Sequence, residues 1–291
     1  MNAEQQRKYR IQTARRRRRQ RRRACCVCML TVMAGLVITF AIWHDWANGL
    51  ILAGWGSGQR EEPASGQADG RSIEQNNWQT GQEYPESLLE LLELNPEAEQ
   101  FVRDYFQNKD KHPKIDLSEE VTQGTIPLFL QWDERWGYET YGSDMIAITG
   151  CGPTCLSMVW CGLSGDTKWD PLTMARYAER EGYYVKGAGT AWDLMTAGAA
   201  DLGLTVREIV FDGDHILTWL AGGNPIICAM RPGDFTTTGH FIVLSGVDEY
   251  GKVKVCDPNS IINSEKTWDV EELIPQIKNL WAYEFGERAV C

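Results

Sequence analysis

The chain has 291 residues, 43% hydrophobic and 10% aromatic, enough to bury a sizeable core in one or two domains. Its net charge of −11 hides a split: residues 1–23 carry eleven basic side chains and one acid, which leaves 18 basic against 39 acidic residues beyond them, a balance of −21. So acidic a remainder repels phosphates, which excludes nucleic acid and anionic membrane surfaces as its partners.

The basic run 1–23 is followed at once by twenty uncharged residues, 24–43, with Trp43 and Trp46 at the far end. At ~1.5 Å per residue that run matches the roughly 30 Å hydrocarbon core of a bilayer, and Trp prefers its edges. The positive-inside rule then predicts a cytoplasmic tail over 1–23 and a single transmembrane anchor over 24–46. The rest is expected outside the cell membrane. A cleaved signal peptide is the rival reading, but the apolar run exceeds the usual signal core and no small-x-small cleavage site follows closely. Cys25, Cys26 and Cys28 at the inner edge read as small apolar filler, with acylation as the rival reading.

Residues 47–82 are rich in Gly, Ser, Gln, Glu and Asp and read as a flexible linker. Two short helical patterns follow within residues 83–125. One carries Leu88, Leu89, Leu91, Leu92 and Leu94; the other lies behind Asn95-Pro96-Glu97 and carries Phe101, Val102, Tyr105 and Phe106. Pro96 suits a helix start behind the capping residue Asn95. The segment reads as a stalk, a pro-segment or a front extension, and the short apolar faces favour an extension packed on the next domain.

A domain over 126–291 begins with Ile126-Pro127-Leu128-Phe129-Leu130-Gln131-Trp132-Asp133. Gly150-Cys151-Gly152-Pro153-Thr154-Cys155 then opens a helix, with Cys155, Met158 and Val159 on one apolar face. Pro153 fits a first-turn position, whose N–H has no partner in any case. A thiol at a helix N-terminus sits in a positive field that favours the thiolate, the nucleophilic form. Helices are expected over 171–181, 192–202 and 215–220, and strands over 204–210, 225–230, 240–245, 252–256 and 281–285. Asp269-x-x-Glu272 has the form of a capping box. Helices first and antiparallel strands later is an α+β layout. No internal repeat is visible.

A cysteine nucleophile needs a base, a group to orient that base, and donors for the oxyanion. Of four histidines, His44 lies at the membrane edge, His112 in a charged connector and His215 at an exposed helix start. His240 opens the apolar strand Phe241-Ile242-Val243-Leu244 behind Gly239, where it can project into a cleft; the bland alternative is an ordinary hydrogen-bonded strand-end histidine. The hairpin through Gly246 to Gly251 brings Asp257 back towards His240, although Asp257-Pro258-Asn259 is also a plain turn signature. The Cys151 backbone N–H and the Gln131 amide are candidate oxyanion donors, while Gln131 on its own reads as a surface glutamine. Gly187, Gly189 and Trp192, in a glycine-rich loop that otherwise is a mere connector, are candidate substrate-binding residues, with Gly152 and Gly239 flanking the cysteine and histidine. Of the six cysteines beyond the anchor, Cys228 reads as a buried strand residue; any disulfide pairing stays open. No CxxC pair is matched by a second CxxC or an HxxxH, so no structural metal is expected, nor any organic cofactor.

Gln-Trp-Asp-x-Arg-Trp, Gly-Cys-Gly-Pro-Thr-Cys, Gly-His-Phe-Ile-Val-Leu-x-Gly and Val-x-Asp-Pro, in that order, resemble the bacteriocin-processing-peptidase-like family of papain-fold cysteine peptidases. The resemblance covers residues 126–283. It implies a papain-like fold, N-terminal helices packed on a C-terminal antiparallel sheet, with Cys151 as nucleophile, His240 as general base and acid, Asp257 as orienting residue and Gln131 as oxyanion donor. The chain departs from transporter-fused members: it carries no ATP-binding cassette and has a longer insertion, 137–149, between Gln131 and Cys151. It is similar in this to a stand-alone, membrane-anchored branch seen in Gram-positive gut bacteria. The expected activity is hydrolysis of peptide bonds in a peptide or protein substrate, with oligomeric state left open. A peptidoglycan amidase or peptidase ranks second, because that class leads one to expect a third imidazole and often a wall-binding repeat. A non-catalytic peptide-binding module is the remaining alternative, against which the intact Cys151, His240 and Asp257 set argues.

Overall fold

A computed structural model describes residues 83–285. The anchor expected over 24–46 lies outside the described residues, among which no helix is long and apolar enough to cross a membrane.

The first helix, α1 (Glu86–Leu94), buries Leu88, Leu91 and Leu92. Asn95 ends it, and its side chain accepts a hydrogen bond from the Glu97 N–H to start a 3-10 turn, Pro96–Ala98. Two short helices come next, α2 (Glu99–Arg103) and α3 (Tyr105–Asn108). Their apolar faces meet Tyr138, Met145 and Ala147 in a satellite core. Phe101 stacks on Tyr138 with ring centroids 4.1 Å apart, and the Tyr138 hydroxyl donates to the Phe101 carbonyl at 2.7 Å. The segment before residue 126 is thus packed on the domain as an extension of it.

The insertion between Gln131 and Cys151 forms a hairpin, β1 (Thr140–Tyr141) with β2 (Asp144–Met145), and one helical turn, α4 (Ile146–Thr149). The central helix α5 (Cys151–Ser164) is buried almost all round and stops at Gly165, whose φ of 73° is a left-handed cap that favours glycine. Helix α6 (Pro171–Arg180) starts behind Asp170, whose carboxylate accepts from the Thr173 N–H at 2.9 Å. The hairpin β3 (Tyr184–Val185) and β4 (Gly189–Thr190) turns through Gly187 and Gly189, both at φ 77°.

The helix expected over 192–202 is two pieces, a 3-10 turn Trp192–Met195 and α7 (Ala197–Asp201), broken at Thr196 with φ −115° and ψ −83°. The adjacent Leu194 and Met195 are both fully buried, and Trp192 lies edge-on to Trp281, a set of demands that one apolar stripe cannot meet. Strand β5 (Leu204–Glu208) and helix α8 (Gly213–Ala221) come after it; the Asp212 carboxylate caps α8 by accepting from the His215 N–H.

The remaining strands are β6 (Ile226–Met230), β7 (His240–Val247), β8 (Val253–Cys256), β9 (Thr267–Trp268) and β10 (Ile277–Phe285), with α9 (Ile261–Glu265) and α10 (Val270–Leu273) between β8 and β10. They join β5 in a six-stranded antiparallel sheet of order β5-β10-β6-β7-β8-β9. The architecture is α+β. Strand β10 starts four residues before the expected 281 because a bulge between Ile277 and Asn279 hides the alternation there. The capping box at Asp269 does not form: Asp269 makes no side-chain cap, and its carboxylate instead accepts from the Lys252 ammonium at 2.9 and 3.0 Å.

Both sheet faces are covered. Helix α5 lays Cys155, Leu156, Met158 and Val159 on Ile227, Ala229, Phe241, Val243, Trp281 and Tyr283. On the other face Ile216, Leu220 and Leu273 pack on Ile226, Cys228, Ile242, Leu244 and Leu280. Burial on two sides is why β6 reads as an unbroken apolar run rather than an alternating one.

Candidate active site

Cys151 is the first residue of α5, behind Gly150 at the cap. The first-turn N–H groups there lack intrahelical acceptors, and the helix dipole adds a positive field. Gly152 and Gly150 let the chain pass closely: a Cβ at Gly152 would sit 2.7 Å from the Thr190 side chain, and one at Gly150 would sit 2.5 Å from Ile146. Gly152 therefore serves the packing of β4 on α5 and lines neither of the two clefts at the site.

His240 is the first residue of β7, paired in register with Met230. Its side chain is 8% exposed, with Nε2 2.7 Å from Oδ1 of Asp257. That pairing leaves Nδ1 available, and Cys151 lines the same two clefts as His240. Burial alone pulls the imidazole pKa down, but the Asp257 charge, the Asp257 hydrogen bond and Cys151 outweigh it and raise the value to about 10. His240 is thus held in its protonated form.

Asp257 comes directly after β8 and is buried. Oδ1 also accepts from the Asn259 N–H at 2.9 Å, Oδ2 accepts from the Asn263 amide at 3.1 Å, and the Asp257 N–H donates to Ser264 Oγ at 2.9 Å. The Asx turn and the contact with the imidazole, alternatives in the sequence, coexist on one carboxylate. Gln131 is buried: its N–H donates to the Pro258 carbonyl at 2.7 Å and its side-chain amide to the Ala147 carbonyl at 2.6 Å. The amide keeps a second N–H, while its Oε1 is buried without a hydrogen-bond partner. Ala147 belongs to the 137–149 insertion, so that insertion sets the side-chain direction of Gln131.

Two clefts meet at this pair, both lined by Ile148, Cys151, Thr238, Gly239 and His240. One, of about 360 Å³, runs past Gln131 and Asn259 to Ser87, Leu91 and Leu94 of α1. The other, of about 540 Å³, runs past Gly187, Gly189 and Trp192 to Tyr184 and Lys278, with the Lys278 ammonium 5.2 Å from the Trp192 ring centre. Gly187, Gly189, Trp192 and Gly239 therefore lie together on the groove that contains Cys151. Sequence reasoning misses the α1 wall; its signal is Leu94, an apolar residue left 70% exposed at the end of an otherwise buried stripe. It also misses Asn259, Asn263 and Ser264, because their sequence reads only as a turn and a capped helix.

The other two described histidines stand apart. His112 pairs with Glu139, and His215 accepts from the Trp219 indole N–H at 3.0 Å. The five described cysteines, Cys151, Cys155, Cys161, Cys228 and Cys256, are all free thiols. Burial raises the thiol pKa of Cys161 to about 12 and of Cys256 to about 11, and pushes Cys155 and Cys228 up as well. Cys151 alone of the five is not buried. Among the described residues no group of three or more His, Cys, Asp or Glu is placed to hold a metal ion.

A family model described as "Peptidase_C39 like family" matches residues 124–286. Among solved structures, the peptidase domain of Streptococcus ComA, described as a bifunctional ABC transporter involved in a quorum-sensing pathway, is similar at 17% identity and a TM-score of 0.35, covering 47% of this chain and 93% of that one. No curated protein matches. With more than half its length matched, the chain belongs to the Peptidase_C39 like family, a family of cysteine peptidases.

Proposed function

We propose that the chain hydrolyses peptide bonds through Cys151, His240 and Asp257, and that it does so outside the cell, held by a membrane anchor over residues 24–46. The observation that carries the chemistry is the imidazole of His240, bonded to a buried carboxylate, sharing a groove with a helix-start thiol. The anchor is supported by the basic run and the apolar stretch directly behind it.

In this reading the Cys151 thiolate attacks the scissile carbonyl carbon, and the carbonyl π electrons move to oxygen. The Cys151 N–H and the second Gln131 amide N–H are the donors for that oxyanion. As the C–N bond breaks, the His240 Nδ1 proton passes to the leaving amine and a thioester remains. His240, now neutral, takes a proton from water, whose oxygen attacks the thioester; the acid leaves and the thiolate is restored. Asp257 keeps Nε2–H donating to itself throughout and fixes the tautomer without taking the proton.

The test is the alkylation rate of Cys151 by iodoacetamide, read by intact mass from about pH 4 to about pH 9, because only the thiolate reacts. Fast single labelling below neutral pH, abolished by Cys151→Ala and slowed by His240→Ala, is the expected result. Labelling spread over several cysteines, or indifferent to His240→Ala, overturns the reading.

A further inference from the structure

The family match begins at residue 124, yet residues outside it reach the heart of the site. Glu97, in the 3-10 turn after α1, accepts three hydrogen bonds from a stretch more than 160 residues away. Its Oε1 accepts from Ser260 Oγ at 2.6 Å, and its Oε2 from the Ile261 and Ile262 N–H groups at 2.8 and 3.1 Å. Asn95 adds a bond from its amide to the Asn259 carbonyl at 2.5 Å. The held residues are the loop after Asp257 and the first turn of α9, whose N–H groups have no partner within the helix. A carboxylate there makes charge-assisted bonds and complements the helix end.

This contact has few competitors. Helix α9 buries no residue, and its Ile261 and Ile262 are 37% and 55% exposed. No apolar packing therefore fixes its position; polar contacts do. Helix α9 in turn holds Asp257, through Asn263 on Oδ2 and Ser264 on the backbone N–H. If α9 drifts, Oδ2 loses its donor and only the Asn259 N–H still directs the carboxylate towards His240.

We propose that Glu97 is a positioning residue for Asp257, and that the front segment over residues 86–97 is an integral part of the catalytic unit rather than a removable pro-segment. This rests on the peptidase reading above. Glu97 touches no reacting atom; it acts through α9, Asp257 and His240 in sequence.

The experiment compares full-length wild type with Glu97→Ala, Glu97→Gln and Glu99→Ala, using iodoacetamide alkylation of Cys151 at about pH 6 and about pH 9, with thermal unfolding alongside. A loosened Asp257 stabilises the imidazolium less, so the thiolate–imidazolium pair is scarcer at low pH. Glu97→Ala is expected to slow labelling about tenfold or more at the lower pH and little at the higher, where an ordinary thiol ionises unaided. Glu97→Gln keeps an accepting oxygen and is expected to fall between. Glu99→Ala, which removes a surface pair with Arg103, is expected to match wild type. A merely structural role moves the melting temperature and leaves the pH dependence alone. A wild-type pH profile in the isosteric Glu97→Gln and in Glu97→Ala overturns the proposal. Wild-type labelling that ignores His240→Ala overturns the peptidase reading itself, a separate result.

Discussion

Nε2 of His240 lies 2.7 Å from Oδ1 of Asp257, and the same carboxylate takes donors from Asn259 and Asn263. The imidazolium thus faces an anion whose own direction is fixed on two further sides. Asp257→Ala removes that anion and strands the Asn263 amide and the Asn259 backbone N–H, each costing about 1–3 kcal/mol if left unpaired. Peptide hydrolysis is expected to fall by about 10²-fold or more. The alkaline limb of the rate profile, set by loss of the His240 proton, is expected to move to lower pH. An unchanged limb in a folded variant, measured on a quenched fluorescent peptide pool, contradicts the pairing.

The same pair gives stability a pH dependence. The His240 pKa stands at about 10 folded against 6.5 for a free imidazole. Between those values the folded protein holds a proton that the unfolded chain releases, so stability falls as pH rises. The contribution is full below about 6.5 and gone above about 10. Urea midpoints of wild type minus those of His240→Ala, taken across that window, are expected to decline steadily. A flat difference shows that the imidazole is not held protonated.

At Gly152 two effects oppose each other. Gly152 is the second residue of α5, where Gly→Ala stabilises by at most the roughly 0.8–1 kcal/mol of a helix interior. Here the new Cβ lies 2.7 Å from the short, branched Thr190 side chain, which is buried and within 3.0 Å of the Tyr141 hydroxyl. Overpacking of this kind costs about 1–3 kcal/mol, so the clash wins and Gly152→Ala is expected to lower the melting temperature. A rise in melting temperature sinks the packing account of this glycine.

The features legible in the sequence are local ones. Cys151 at a helix start, His240 at a strand head and the hairpin returning to Asp257 all derive from glycine and proline punctuation and apolar runs a few residues long. The hidden features depend on distant partners. Glu97 reads as an ordinary first-turn acid; nothing near it in sequence announces Ser260. The break at Thr196 comes from burial of Leu194 and Met195 against a sheet built by residues further along the chain. Asp269 has the spacing of a cap, but Lys252, across the strand pair, takes its carboxylate. The two-residue strands β1 to β4 and β9 are too short to show a period at all.

Gln131 offers a case where catalysis and stability should separate. Its amide donates one N–H to Ala147 and faces the cleft with Cys151, but its Oε1 is a buried acceptor without a partner. Gln131→Ala removes a hydrogen bond worth about 1 kcal/mol and, at the same time, an unsatisfied carbonyl of similar cost. The two nearly cancel, so the melting temperature is expected to move little. If Gln131 is the oxyanion donor of the proposed mechanism, its loss is not offset, and kcat is expected to fall by about 10²–10³-fold with KM nearly constant. Alkylation of Cys151, which forms no oxyanion, is expected to keep its wild-type rate. A variant that loses alkylation and hydrolysis together would mean that Gln131 supports the Asp257 loop through Pro258 rather than the oxyanion.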